Sequence, residues 1–228
     1  MTIAWQDIVW NVLIWGPGVL LGATFHEWAH GFVADRFGDP TPRQHGRLTL
    51  NPLPHIDPVW TILVPLVMVV VTSYTMNQPI AFGGAKPVPI NVGLFRGSKR
   101  LGLFCVALAG PAMNLLLAYL SALMLAQVVS HGGFMPYLVT VLGGILIASI
   151  KMNGVLALFN LIPLPPLDGG RIVQSVLPAA AQGFWMSLER FGMPLIILLV
   201  MTGGFGSLLH GPLRYLLRQF YAIAGLSV

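Results

Sequence analysis

The sequence predicts an all-α polytopic membrane protein, because it is apolar, poor in charge and divided into stretches of membrane length. Of its 228 residues, 56% are apolar and only 8% are charged, and the mean hydropathy is +0.79, whereas an ordinary soluble domain is about 25% charged. The chain has room for four to five transmembrane helices of about 20 residues each. This composition argues against a soluble enzyme, a disordered chain and a nucleic-acid partner, despite the net charge of +5.

Five apolar stretches separate polar or proline-rich connections. We expect helices over residues 8–31, 101–129, 134–161 and 184–200, and a shorter apolar segment over residues 59–74 that contains Pro65. After Pro212, Arg214 and Arg218 share a polar face, which indicates an amphipathic helix at the membrane interface. The residues before the first stretch carry no Lys or Arg, so we expect no cleavable signal. The whole chain, 1–228, is predicted to be one membrane domain with a core over 8–175 and C-terminal helices over 184–225.

The first apolar stretch ends in His26-Glu27-Trp28-Ala29-His30, the HExxH pattern. Residues four apart lie on one face of a helix, so both imidazoles can bind one Zn²⁺ while Glu27 reaches the reacting water. The chain has six His and few acids, which makes a chance match improbable, and ionisable groups inside apolar stretches are usually functional. The pattern predicts a metal site with Glu27 as the catalytic residue.

Two histidines do not close a zinc site, so a third ligand is required. The acidic candidates are few: Asp7, Asp35, Asp39, Asp57, Asp168 and Glu189. Asp168 follows an apolar stretch and a run of prolines, and Gly169 and Gly170 come directly after it. Prolines stiffen that backbone and glycines allow close approach of a metal. We therefore predict His26, His30 and Asp168 as the ligands of one zinc ion.

Together with HExxH, two further motifs resemble those of the site-2 protease family of intramembrane zinc metalloproteases. These are Ala109-Gly110-Pro111-Ala112-Met113-Asn114 and the NxxPxPxxDG pattern at residues 160–169. The segments at residues 46–52 and 83–89 are similar to those of the small bacterial and archaeal members, and the resemblance covers about residues 10–175. No PDZ or CBS domain is expected.

The resemblance implies a fold, an activity and a location. His26, His30 and Asp168 would be zinc ligands, Glu27 the catalytic residue, and Asn160 and Asn114 groups that hold substrate or the transition-state oxygen. The substrates would be transmembrane segments of other proteins, cut within the lipid bilayer. The location expected is the cytoplasmic membrane of a bacterium or archaeon.

A shared metal also constrains the topology. HExxH and Asp168 each lie at the C-terminal end of an apolar stretch, so those two helices must run in the same direction. The chain between them then crosses an odd number of times, and residues 59–74, about 16 long, are predicted to be a re-entrant segment. The loops on both sides of that segment are basic, which predicts a site toward the cytoplasmic side.

The sequence leaves open the role of the segment at Gly83, the third metal ligand and whether the site is catalytic. The segment that begins at Gly83 and Gly84 is expected to form a short β-hairpin or extended loop whose edge binds substrate, although an ordinary Gly/Pro loop fits it as well. A different membrane zincin would use Glu189 as its third ligand. A metal-binding transporter or a catalytically inactive protein would use the same three ligands, but a transporter more often shows two similar halves, and Glu27 has no use in mere binding.

Overall fold

The computed structural model describes residues 5–68, 83–131 and 136–226, which form helices joined by short turns and extended segments. The helices are α1 (Trp5–Arg36), α2 (Thr41–Gln44), α3 (Pro58–Met68), α4 (Lys99–His131), α5 (Pro136–Asn160), α6 (Asp168–Val176), α7 (Ala179–Ser187), α8 (Glu189–Met201) and α9 (Gly204–Ile223). Short 3-10 turns cover Leu53–His55 and Val92–Leu94. The described residues contain no strand, so the segment expected as a hairpin is extended without pairing.

Helices α1, α4 and α5 form the core that carries the site. Positions 14, 18 and 22 of α1 contact positions 144, 149 and 153 of α5 in the same order, so these two helices run parallel. Helix α4 runs against both, because Ser121 contacts Ser149 and Asn114 contacts Asn153. The parallel course of α1 and α5 is the one that a metal shared between their C-terminal ends requires.

The lateral surface of the described helices is apolar. Val12 is 65% exposed, Met124 59% and Leu198 57%, a pattern that suits contact with lipid rather than water. Among the described residues, α4 and α5 are long and apolar enough to cross a membrane, over Lys99–Ser130 and Val139–Asn160. Helices α7 and α8 would together make a third span. These helices confirm the predicted all-α membrane architecture.

Helix α3 is the first part of the short apolar segment that the sequence predicts to be re-entrant. The Asp57 carboxylate caps its first turn by accepting hydrogen bonds from the Val59 and Trp60 amides. The Gly84 amide donates to the Trp60 carbonyl at 3.0 Å, so the chain returns to the level at which it entered. A re-entrant segment requires this return, while residues 69–82 lie outside the described part of the chain.

The C-terminal third differs from the expected pattern in two places. The predicted helix over 184–200 is two helices, α7 and α8, which bend by 50° at Leu188. The bend does not fall at Pro194, which lies inside α8. The amphipathic segment begins at Gly204 and continues through Pro212. Phe220 and Tyr221 anchor it in a core shared with α4 and α5.

Candidate metal and catalytic site

The predicted ligands meet at the end of the core where α1 and α5 finish and α4 begins. His26 Nε2 lies 3.0 Å from His30 Nε2. The Asp168 Oδ2 atom lies 3.1 Å from the first of these nitrogens and 3.2 Å from the second. All three side chains are buried. Among the described residues, they form the group of His, Cys, Asp or Glu side chains able to hold a metal ion.

The hydrogen bonds behind the two imidazoles direct their lone pairs at one another. His30 Nδ1 lies 2.6 Å from the Val106 carbonyl oxygen, which only accepts, so the ring donates from Nδ1. His26 Nδ1 lies 2.6 Å from Asn114 Oδ1 and donates in the same way. Both Nε2 atoms then carry lone pairs, and Asp168 Oδ2 is buried without a hydrogen-bond donor. Three electron-pair donors within about 3 Å need a cation between them.

The size of this triangle fits zinc. Ligand atoms at about 2.05 Å from a tetrahedral zinc ion lie about 3.3 Å apart, close to the three distances above. Each histidine also has the second hydrogen bond that metal-binding imidazoles commonly make through their other nitrogen. A ring of three ligands leaves the fourth tetrahedral position for a reacting group, as in catalytic zinc sites.

Gly110 of α4 makes room for the triangle. A Cβ atom there would lie 2.5 Å from His26 Cε1 and 2.6 Å from His26 Nε2, and would also collide with His30 Nε2. Real carbon atoms stay about 3.5 Å or more apart. A residue without a side chain is therefore required where α4 passes the two imidazoles.

The other described acidic candidates act elsewhere. Asp35 binds Arg43, and Asp39 accepts hydrogen bonds from Thr41 and from the Asn91 amide. Asp57 caps α3. Glu189 is exposed at the first residue of α8 and is not part of the metal-ligand group. The Asp7 side chain lies outside the described part of the structure. The geometry favours Asp168 over Glu189 as third ligand.

Glu27 lies beside the ligands in a cavity of about 130 Å³. Its Oε2 accepts a hydrogen bond of 2.8 Å from the Val88 amide. Proline has no N–H, so between Pro87 and Pro89 this amide is the one backbone donor. The carbonyls of Lys86 and Pro87 accept hydrogen bonds from Arg47 Nη2. The extended segment therefore holds the Glu27 carboxylate from the side opposite α1.

The remaining predicted site residues fall into two groups. Asn160 lines the cavity together with Glu27. Asn114 is completely buried, and its amide contacts His26 and the interior of the core. Gly83 and Gly84 pack against α3, outside the cavity wall. A role in holding substrate stays a prediction for these residues, and the cavity wall is formed instead by residues 87, 88 and 90 of the same segment.

Comparison with known proteins gives the family. Residues 140–201 match the model for Peptidase family M50. The chain is 36% identical over 185 residues to "Putative zinc metalloprotease YwhC" of Bacillus subtilis, which covers 81% of this chain and 78% of that protein. This chain belongs to peptidase family M50. A second relative of the same description, Rip2 of Mycolicibacterium smegmatis, is 29% identical over 81% of this chain and 65% of its own length. No solved structure matches the chain.

Membership of family M50 makes this chain a metalloprotease and an integral membrane protein. It agrees with the resemblance that HExxH and the two later motifs indicate. The family model covers α5, α6, α7 and α8, and thus includes Asp168 but not HExxH. The matches do not depend on the geometry of the triangle, so the two lines of evidence are independent.

The charge of the M50 site requires a positive partner for Asp168. Burial by itself raises the pKa of this carboxyl. When the imidazoles are protonated, however, the charge on His30 and hydrogen bonds from both rings outweigh burial and hold the pKa of Asp168 below its usual range. The ionised carboxyl is the form that binds a metal. Protons and a metal ion compete for the same lone pairs.

Three residues without a predicted role shape the site. The Val106 carbonyl orients His30, Arg47 supports the segment behind Glu27, and Asn153 contacts Asn114 in the buried core. A backbone carbonyl leaves no signal in a sequence. Asn153 does leave one, because an amide inside the apolar stretch over 134–161 is costly unless it has a partner.

Proposed function

We propose that this metalloprotease is a zinc-dependent intramembrane endopeptidase that cuts peptide bonds in or near transmembrane segments of other membrane proteins. One observation carries the proposal. The Glu27 carboxylate shares one cavity with three converging ligand atoms, at the end of a helical core whose lateral surface is apolar. A protein that only stores or carries a metal has no use for a carboxylate in that place.

His26, His30 and Asp168 would hold one zinc ion per chain. The chemistry that such an ion would supply is a lower pKa for a water molecule and polarisation of the scissile carbonyl group. Glu27 then acts first as general base and later as general acid. It takes a proton from the attacking water, whose oxygen bonds to the scissile carbonyl carbon. When the carbon–nitrogen bond breaks, Glu27 gives that proton to the leaving amine. Asn160 lines the cavity; its Nδ2 donates to the Leu156 carbonyl, and its second amide hydrogen would donate to the carbonyl oxygen of the substrate.

The Val88 amide prepares Glu27 for this task. It engages Oε2, and within the described residues Oε1 accepts no hydrogen bond. One carboxylate oxygen is thus fixed while the other is available to water. A carboxylate held in one orientation meets its proton at lower entropic cost.

The substrate must present extended backbone to this cavity, because a helix uses its carbonyls in its own hydrogen bonds. A transmembrane segment therefore unwinds locally before it is cut. Water must also reach the cavity. A position near the end of the core, beside polar loops, meets both needs better than one at its centre.

The cut is proposed to take place toward the cytoplasm. Seven basic residues lie in the connections at the site's end of the core: Arg36, Arg43, Arg47, Lys86, Arg96, Lys99 and Arg100. The sequence between α4 and α5, at residues 130–133, has no Lys or Arg. By the positive-inside rule the basic end faces the cytoplasm.

The test is proteolysis by the full chain in liposomes that also contain a panel of single-span proteins. The chain has two glutamates, which supply a matched pair of variants. Glu27→Gln is expected to retain zinc and to lose cleavage by at least about 100-fold, the lower range for a general base. Glu189→Gln is expected to cut as the native chain does. Equal cutting by native chain and Glu27→Gln would refute the catalytic role, and zinc binding without any cutting by the native chain would favour a binding protein.

A further inference from the structure

A chain of buried amides runs from His26 into the helical core. Asn114 Oδ1 lies 2.6 Å from His26 Nδ1, and Asn114 Nδ2 donates to Asn153 Oδ1 at 2.8 Å. Asn153 Nδ2 in turn donates to the Ser149 carbonyl at 2.9 Å. Asn114 is 0% exposed and Asn153 1%. Polar groups so deep in an apolar core are kept only when each one has a partner.

Two backbone carbonyls fix the direction of every bond in this chain. The Gly22 and Ser149 carbonyls only accept. Asn114 Nδ2 donates to the Gly22 carbonyl at 3.1 Å and to Asn153, so both of its hydrogens are used on that side. Asn114 therefore turns Oδ1 toward His26. His26 must donate from Nδ1, and its Nε2 is left without a proton.

We propose that Asn153 is a positioning residue for the metal site, acting through Asn114 on the tautomer of His26. Its Oδ1 holds the second amide hydrogen of Asn114, and its own orientation is set by the Ser149 carbonyl. Without that acceptor, one Asn114 hydrogen is unpaired where no water reaches it. The Gly22 carbonyl alone then opposes rotation of the amide, so the orientation that turns Nδ2 toward His26 becomes more populated.

The rotated amide has a defined consequence for metal binding. Against Nδ2, His26 must accept at Nδ1 and carry its proton on Nε2, the atom that faces Asp168 and His30. A protonated nitrogen has no lone pair to give to a metal. Asn153 thus keeps His26 in the form that binds, although it touches neither ligand nor substrate. This inference rests on the metal site of the proposed function.

The first test measures zinc affinity of the full chain in detergent by competition with a chelator. Asn153→Leu keeps the branching and the number of side-chain heavy atoms and removes the acceptor, and is expected to weaken zinc binding by about 10- to 100-fold, the range for partners of metal-binding histidines. Ser121→Ala is the matched control, because its hydroxyl contacts Ser149 Oγ at the far end of the network. It is expected to bind within twofold of the native chain. A folded Asn153→Leu that also binds within twofold would overturn the proposal.

A second variant distinguishes the loss of the hydrogen-bond acceptor from misfolding of the chain. Asn153→Asp has nearly the same shape, and in an apolar core its carboxyl is neutral. It then donates to the Ser149 carbonyl and accepts from Asn114, so we expect zinc affinity within about threefold of native. A loss as large as that of Asn153→Leu would overturn the proposal. In combination with Asn114→Ala, Asn153→Leu should add no further loss, whereas a full multiplicative loss would indicate a separate structural effect.

The tautomer of His26 can be measured directly by nitrogen NMR. In metal-free protein labelled with ¹⁵N-histidine, the His26 Nδ1 signal should be that of a protonated nitrogen in the native chain and shift toward the unprotonated form in Asn153→Leu. An unchanged signal would contradict the proposal. Native protein that bound no zinc would contradict the proposed function, while the nitrogen spectrum would still test the role of Asn153.

Discussion

Gly110→Ala is the smallest change that should destroy the metal site. The added methyl group would lie 2.5 Å from His26 Cε1 and 2.6 Å from His26 Nε2, against an ordinary carbon contact of about 3.5 Å. The ring or the α4 backbone must therefore move by about 1 Å. Metal–ligand distances tolerate about 0.2 Å. At least one ligand is lost, and zinc affinity should fall by about 100-fold or more, which corresponds to about 2.7 kcal/mol.

The assay is zinc affinity by chelator competition together with the melting temperature in detergent. Substitution of two other glycines distinguishes a direct loss of zinc binding from a general loss of packing. At Gly143 a Cβ would make an ordinary 3.9 Å contact with Leu125, so Gly143→Ala should leave zinc affinity unchanged and stabilise α5 by up to about 1 kcal/mol. At Gly102, two turns before Gly110 on α4, a Cβ would collide with Phe95 and with no metal ligand. Gly102→Ala should lower the melting temperature while zinc still binds.

The three variants together give a decisive comparison. If Gly110→Ala melts like the native chain and still binds zinc within twofold, the close approach of α4 to the imidazoles is not what shapes the site. If Gly102→Ala loses zinc as completely as Gly110→Ala does, damage to packing explains both losses. Loss in Gly110→Ala alone supports the geometry described above.

Two further predictions concern the third ligand and the orientation of the chain. Asp168→Ala should lower zinc affinity by at least about 100-fold, beyond the range for outer partners of ligands, and Glu189→Ala should leave it unchanged. Zinc loss in Glu189→Ala alone would reverse the ligand assignment. Single cysteines placed at Ser98 or Ser130 in a Cys105→Ala background should react differently with a membrane-impermeant maleimide on intact cells. Label at residue 130 is expected from outside and label at 98 only after lysis, and the reverse pattern would contradict a cytoplasmic site.

Much of the core could be predicted because its signals are local or depend on length. HExxH places two imidazoles on one helical face through the 3.6-residue period alone. The demand that Asp168 meet them fixes the relative direction of α1 and α5 without any knowledge of packing. Both conclusions follow from covalent connectivity and helix geometry, which a sequence contains in full.

The features that could not be predicted from the sequence have a common cause in contacts between distant segments. The glycines at 83 and 84 mark where the backbone is free to turn, but not which neighbour it meets, and they lie against α3. The bend at Leu188 is similar. Gly192 approaches the Pro165 carbonyl so closely that no side chain fits there, and this packing positions α8. Nothing local to Leu188 in the sequence marks this bend, and Pro194, the proline of this apolar stretch, lies inside α8.

The return of the chain at Gly84 links the topology to the chemistry. The Gly84 amide donates a hydrogen bond to the Trp60 carbonyl near the start of α3, so the two residues lie at one level, and α4 begins on the side where α1 ended. Only then does Asp168, after α5, arrive at the level of His26. Four residues after Gly84, the Val88 amide donates a hydrogen bond to Glu27. The hydrogen bond between Trp60 and Gly84 therefore links the level of the third ligand to the position of the amide that orients the Glu27 carboxylate, an arrangement that a re-entrant segment, as the sequence predicts at residues 59–74, would provide and a full span would not.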